Sequence, residues 1–309
     1  MHNIEELIFI IMNTAVKENS SDIHIEALQK EFRVRFRIEG ILKLYNKYPS
    51  QLFDSLISSL KILANLNIAE KRLPQDGSFS YILSTGKLIH ARISSCPCIL
   101  GEKIVIRILS NCNDIRPLDT IGLSKTQLKI LRTYMKLPQG LILFTGSTGS
   151  GKTHTLYSML KELLSPKINI MTLEDPIEII LEDTCQVTLT PAIKLDFKKI
   201  LKSFLRQDPD IIMLGEIRDE ESAKAAISAA QTGHLVLSSM HARDNIQAIL
   251  RLVSFNINIH DLLSCLLLLS SQTLINLKEK RSAVFNFINM TSDTQTKILK
   301  QDYNQLQCV

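Results

Sequence analysis

The sequence predicts an α/β protein in two parts, a smaller α+β domain followed by a domain built on a parallel sheet. Three observations predict it. The chain has 309 residues, more than one domain usually holds. Its first third contains strictly alternating apolar and charged residues beside stretches of helical spacing. The remainder alternates near-continuous apolar runs with helical stretches, the pattern of parallel strands covered on both faces.

In the first part, residues 4–17 have apolar positions at Ile4, Leu7, Ile8, Ile11 and Met12, which predicts a helix. EFRVRFRIEG, residues 31–40, sends Phe32, Val34, Phe36 and Ile38 to one side and Arg33, Arg35 and Arg37 to the other. This is a half-buried antiparallel strand that closes in a turn at Glu39-Gly40. Helical spacing returns from Leu52 to Leu66, and short strands are expected at Phe79–Leu83, Leu88–Ile93 and Lys103–Leu109. NCNDIRPLDTIG, 111–122, lacks periodicity and carries a proline, so it reads as the linker between domains spanning 1–112 and 113–309. Beyond it, strands are expected at LILF (141–144), INIMTL (168–173), IIML (211–214) and LVLSSM (235–240). The apolar stretch Leu262 to Leu269 is too short to span a bilayer and suits a buried helix.

Composition narrows the function. A net charge of +5 with scattered basic residues, 6% aromatics and no Trp gives little support for direct nucleic-acid binding. The N-terminus lacks the basic start and small-residue cleavage site of a secretory signal. Six cysteines without paired metal spacing argue against zinc and fit a reducing cytoplasm.

The strongest chemical signal is LILFTGSTGSGKT, 141–153, which holds G-x-x-x-x-G-K-T between an expected strand and an expected helix. Gly146, Gly149 and Gly151 let backbone N–H groups converge on phosphates, with Ser147, Thr148 and Ser150 between them. The helix that follows, with His154 in its first turn, adds its positive end. Lys152 would reach the terminal phosphates and the Thr153 hydroxyl would bind Mg²⁺. The pattern arises by chance in roughly one chain of this length in a hundred, before its flanks are counted.

Three further stretches belong with this loop. MTLEDPIE, 171–178, puts Glu174, Asp175 and Glu178 after a strand, at the sheet edge where α/β ligands bind. One of these carboxylates could orient and deprotonate an attacking water. IIMLGEIRD, 211–219, follows its strand with Gly215 and then Glu216, where ATPases that carry such a phosphate loop usually end the strand on an aspartate. Glutamate is one methylene longer and reaches the metal from one residue further on. GHLVLSSMHARDN, 233–245, sets His234 and His241 at the two ends of a strand, where they could sense a terminal phosphate.

GSTGSGKT, MTLEDPIE, FLRQDPDIIMLGEIRD and GHLVLSSMHARD resemble, in order and spacing, the secretion ATPase superfamily, most closely the type II secretion and type IV pilus assembly ATPases. SSDIHIE (20–26), RFRIEG (35–40), EKRLPQDG (70–77) and HARISSCPCILGEKIVIRIL (90–109) extend the resemblance over nearly the whole chain. It implies a PAS-like N-terminal domain and a RecA-like P-loop ATPase domain, joined in a ring-shaped homo-hexamer that holds ATP and Mg²⁺ between a chain's two domains. It also implies roles. Glu178 is the catalytic carboxylate, Glu216 the metal-side acid, and His234 and His241 the histidine box, while Arg92 and Arg107 reach the phosphates from the N-terminal domain. An inner-membrane platform protein would be the partner. The ATPase would sit in the cytoplasm, on the inner face of the membrane, through that partner.

Some positions depart from the family pattern. Ser147 stands where proline is usual and Ala242 where threonine is usual, and no four-cysteine insertion follows the histidine box. The N-terminal docking domain of longer members and the C-terminal signature of retraction ATPases are not visible in the sequence. The missing insertion and docking domain resemble the compact DNA-uptake or minimal pilus-type members, and the missing retraction signature after Ser270 favours assembly over retraction. A RecA-type nucleic-acid translocase and a non-hydrolysing ATP-binding regulator are the other readings. The first should show aromatic stacking platforms, and Lys152, Glu178 and Glu216 argue against the second.

Overall fold

The computed structural model describes residues 4–111, 115–189, 197–277 and 280–306. The chain divides into two compact units, Met1–Asn111 and Cys112–Val309. The expected boundary at 112/113 lies outside the described residues.

In the first unit, α1 (Ile4–Lys17) and α2 (Phe53–Leu63) cover one face of a six-stranded sheet. The strands are β1 (Asp22–Ala27), β2 (Glu31–Ile38), β3 (Ile41–Pro49), β4 (Gln75–Ile82), β5 (Leu88–Cys98) and β6 (Gly101–Ile108). Their order is β3-β2-β1-β6-β5-β4, and the pairs are antiparallel. The alternation in β2 is realised: Phe32, Val34 and Phe36 are buried, and Arg33, Arg35 and Arg37 occupy the other face. Positive φ at both Glu39 and Gly40 makes the tight hairpin from β2 to β3. β1 and β3 were not expected. β3 is an edge strand in which no residue is buried, so it carries no alternation to read.

On the polar face, Glu26 receives Arg33 at 2.7 Å, Arg35 at 2.8 Å and Lys103 at 2.9 Å. Burial alone would raise this carboxyl, but the three cations pull it down to about 2.

The second unit is a seven-stranded sheet covered on both faces, and helices α3 (Lys125–Tyr134), α4 (Lys152–Leu163), α5 (Phe197–Phe204), α6 (Glu220–Gln231), α7 (Asn245–Ser254) and α8 (Ile259–Cys265) follow one another along the chain. Along the chain its strands are β7 (Gly140–Thr145), β8 (Ile170–Glu174), β9 (Cys185–Thr188), β10 (Ile211–Ile217), β11 (Leu235–Met240), β12 (Leu266–Leu277) and β13 (Lys280–Asn289). Their order is β9-β8-β10-β11-β7-β12-β13. The pairs are parallel except β12–β13, which is antiparallel. Leu141, Leu143, Ile212, Leu214 and Val236 enter one core, and Ile142, Phe144, Ile211, Met213, Leu235 and Leu237 the other. Strands buried on both sides need no polar alternation, which is why these runs are so uniformly apolar.

Two expectations are corrected. The helix expected over Leu262–Leu269 ends at Cys265, since α8 spans only Ile259–Cys265 and β12 begins at Leu266. A continuous apolar run fits a buried helix and a central strand equally, and pairing with β7 decides for the strand. Similarly, the strand expected to stop at Leu214 continues to Ile217. Its register with β11 shifts between Leu214 and Ile217, so Gly215 and Glu216 lie in a bulge.

Candidate nucleotide site

The parallel strands deliver their chemistry to one edge. β7, β8, β10 and β11 all point their C-terminal ends the same way. The loop after β7, the turn after β8, the bulge in β10 and His241 after β11 therefore meet there, as expected for ligand sites of open α/β sheets. A cavity of about 560 Å³ opens at this edge. It is lined by Thr148, Gly149, Gly151, Lys152, Thr153 and His154 on one side, and by Glu174, Asp175, Glu178, Glu216, Arg218 and His241 on the other.

The glycines do what the motif requires. Gly149 and Gly151 adopt φ of +78° and +90°, and Gly151 caps the N-terminus of α4 (Lys152–Leu163). A Cβ at Gly146 would lie 2.4 Å from the Gln272 carbonyl oxygen, so only glycine fits there. Successive backbone N–H groups at a helix start, beside an open cavity, fit a phosphate chain. Lys152 is 7% exposed, and its Nζ donates to the carbonyls of Gly146 at 2.8 Å and Ser147 at 3.0 Å. Burial lowers its pKa, against the pull of Glu216 and Glu178. Gly146, Ser147 and Ser150 shape the loop from behind and do not line the cavity. His154 does line it, and its Nε2 accepts from the Arg116 amide at 3.2 Å. Burial, and then Arg116, lowers the His154 pKa.

The bulge brings Glu216 into the site. Its carboxylate meets Arg218 Nε at 2.9 Å through one oxygen and His241 Nε2 at 3.1 Å through the other. His241 Nδ1 is 3.5 Å from Lys152 Nζ, so loop lysine, histidine and strand-end acid form one chain. Arg218 also reaches Asp175 Oδ2 at 2.6 Å and so joins the two acidic stretches. Arg218 went unrecognised in the sequence, where IRD reads as a plain charged turn. The aspartates of GEIRD and HARDN are helix caps. Asp219 accepts from Ser222 N at 2.8 Å at the start of α6 (Glu220–Gln231), and Asp244 from Gln247 N at 2.8 Å at the start of α7 (Asn245–Ser254).

The structure does not bring His234 to this cavity. It stands at the N-terminal end of β11, with Nδ1 3.1 Å from the Ala229 carbonyl. At about 3.3 Å per residue the strand separates it from His241 by roughly 20 Å. The sequence shows that the two bracket a strand, but only strand direction assigns them to opposite edges. Arg92 and Arg107 lie in the first unit as directly paired residues of β5 and β6. Arg107 Nε donates to Asp22 Oδ1 at 2.9 Å, and its side chain is 67% exposed.

The family model described as "Type II/IV secretion system protein" matches residues 1–308. The chain belongs to this family. The protein transport protein HofB homolog of Haemophilus influenzae is 47% identical over 265 residues, 86% of this chain and 57% of its own length. The type IV pilus assembly ATPase PilB of Acinetobacter baylyi is 46% identical over 248 residues, 79% of this chain and 43% of its own. The chain thus spans about half the length of these relatives. The crystal structure of the pilus retraction motor PilT with bound ADP aligns over 96% of this chain and 87% of its own, with a TM-score of 0.78 at 26% identity. The α/β fold of this chain is therefore shared with that motor over nearly the whole of its length. Among the described residues no helix is long and apolar enough to cross a membrane.

Proposed function

We propose that this chain is a motor ATPase that hydrolyses ATP to power assembly of a type IV pilus or a type II secretion pseudopilus, or of a DNA-uptake pilus. The observation that carries the reading is the single cavity that gathers Lys152, Thr153, Glu178 and Glu216 beside a phosphate-binding loop. Lys152 and the loop amides hold the phosphates, and Glu178 takes the proton of the attacking water. Thr153 and Glu216 present the hard oxygen donors that Mg²⁺ prefers, so these residues would hold it. Bound there, the ion would neutralise charge on the phosphates.

Arg92 and Arg107, set side by side on one sheet face, would supply positive charge to the transition state from the first unit. The working form is a homo-hexamer in the cytoplasm, bound to the inner membrane face through a platform protein. Motion would follow because nucleotide contacts from both units make their arrangement depend on what is bound. Relatives named as assembly ATPases are 41–46% identical to this chain and the retraction motor 26%, which supports assembly over retraction.

The test is steady-state ATP hydrolysis by the purified chain, with Lys152→Ala as the control. Turnover at least a hundredfold above that control is expected, and it should change less than twofold on adding single- or double-stranded DNA. Turnover equal to the control would overturn the ATPase reading. A tenfold rise with DNA would replace the pilus motor with a nucleic-acid translocase.

A further inference from the structure

Beside the cavity, and reaching its wall through Glu174, lies a buried polar network that phosphate binding does not need. Tyr157, on α4 five residues beyond Lys152, is fully buried. Its hydroxyl donates to Glu174 Oε2 and accepts from the Ile179 amide at 3.3 Å. Glu174 is 3% exposed and also takes Thr172 Oγ1 at 2.6 Å and Gln186 Nε2 at 3.2 Å. Gln186 donates in turn to the Ile179 carbonyl at 2.9 Å and accepts from the Leu181 amide at 2.8 Å. The three backbone groups Ile179 N–H, Ile179 C=O and Leu181 N–H, directly after Glu178, are thus held by the side chains of Tyr157 and Gln186.

Such a network adds little stability beyond what an apolar filling of the same space would give, because each buried polar group only recovers the hydration it lost. What it does provide is a fixed position. Tyr157 belongs to the helix whose first turn carries Lys152 and Thr153, and the backbone it grips adjoins Glu178. Helix and acidic turn are separate segments of chain, and apolar contacts alone would let the turn slide against the helix. A directional hydrogen bond to the residue after the carboxylate sets where that carboxylate stands relative to the loop. Misplacement of a catalytic group by about 1 Å can cost on the order of a hundredfold in rate.

We propose that Tyr157 is a positioning residue for the catalytic carboxylate, tying the Glu178 turn to the phosphate-binding helix through the Ile179 amide and the Glu174–Gln186 pair. The inference rests on Glu178 being the base. It predicts that loss of the hydroxyl slows hydrolysis while leaving nucleotide capture intact, since Lys152 and the loop amides are untouched.

The experiment compares Tyr157→Phe, Glu178→Gln and their double variant in the full chain for kcat and KM of ATP. Tyr157→Phe should lower kcat about tenfold with KM within twofold, and the double variant should be no slower than Glu178→Gln alone. That non-additivity would not arise from loosened packing. Should Tyr157→Phe not fold, Gln186→Leu tests the same tie from the other side, with the same split between kcat and KM. A Tyr157→Phe enzyme within twofold of wild type, or one whose defect multiplies fully with that of Glu178→Gln, would overturn the proposal while Glu178 remained the base. Wild-type turnover in Glu178→Gln would remove the base assignment, and this inference with it.

Discussion

Gln272 is the side chain that ties the second half of the sheet to the phosphate-binding loop. It is 1% exposed on β12, with Nε2 donating to the Ser150 carbonyl at 2.9 Å and Oε1 accepting from Thr155 Oγ1 at 3.0 Å. Gln272→Leu keeps the approximate shape and removes both bonds. Thr155 still has the Gly151 carbonyl at 3.3 Å, so the loss falls on the Ser150 carbonyl. Leaving one buried acceptor unpaired costs about 1–3 kcal/mol. A net loss of about 2 kcal/mol corresponds to roughly 4–8 °C in melting temperature for a unit of this size. If the loop must be restored for nucleotide to bind, the same energy enters the affinity, as up to roughly a thirtyfold rise in Kd. Thermal melts and equilibrium titration with a fluorescent ATP analogue read both quantities. A Gln272→Leu protein that melts within about 1 °C of wild type and binds the analogue equally well would refute the claim that β12 braces the loop.

Glu178→Gln should bind the ATP analogue with a Kd within about threefold of wild type while hydrolysing at least a hundredfold more slowly, the scale of a lost general base; single-turnover hydrolysis checks it. Arg92→Ala should lower kcat about tenfold or more and leave analogue affinity within threefold, and unchanged kinetics would remove it from the site. Glu26 predicts an acid-sensitive first unit. Its folded pKa of about 2 lies below the ordinary 4.5, so its stabilisation is present above pH 4.5 and lost as pH falls toward 2. That depression sets an upper figure of about 3 kcal/mol. Urea midpoints of wild type and Glu26→Gln should therefore differ clearly at pH 7, by less than half as much at pH 3, and converge only at about pH 2 and below; an equal gap at pH 7 and pH 2 would refute the pairing.

Much of this architecture was legible because burial writes itself into sequence in two ways. In β2, one-sided burial alternates Phe32, Val34 and Phe36 with arginines, and the strand is read off directly. In β7, β8, β10 and β11, two-sided burial leaves near-continuous apolar runs whose parallel pairing follows from the helices between them. The same two-sided burial hid β12, since Leu262–Leu269 crosses a helix–strand junction without any change in polarity. The site followed the same division. Lys152, Thr153, Glu178 and Glu216 sit in local motifs whose spacing carries the chemistry. Tyr157, Gln186 and Gln272 carry no such mark, because their partners are backbone groups up to 122 residues away. Arg218 was missed for a different reason: a charged residue two positions from Glu216 looks like solvent-facing turn until Asp175 is seen opposite it.

Glu216 shows why residue type and backbone geometry have to be read together. An acid at the end of a regular strand would alternate with its neighbours and fall on one core face or the other. The bulge between Leu214 and Ile217 breaks that alternation, allowing Glu216 to face the cavity while Ile217 returns to the core at 1% exposure. Gly215 makes the bend compatible with β8 alongside: a Cβ there would already stand 3.4 Å from the Glu174 Cα, and a larger side chain would press on the acidic turn itself. The Ser239 hydroxyl donates to the Gly215 carbonyl at 2.7 Å and Ser238 to that of Leu214 at 2.8 Å, so side chains of β11 hold the backbone where the bulge begins. The longer glutamate, the small residue before it and the two serines opposite form one device. An aspartate at position 216 would bring the charge but stand one methylene short of the reach the bulge requires.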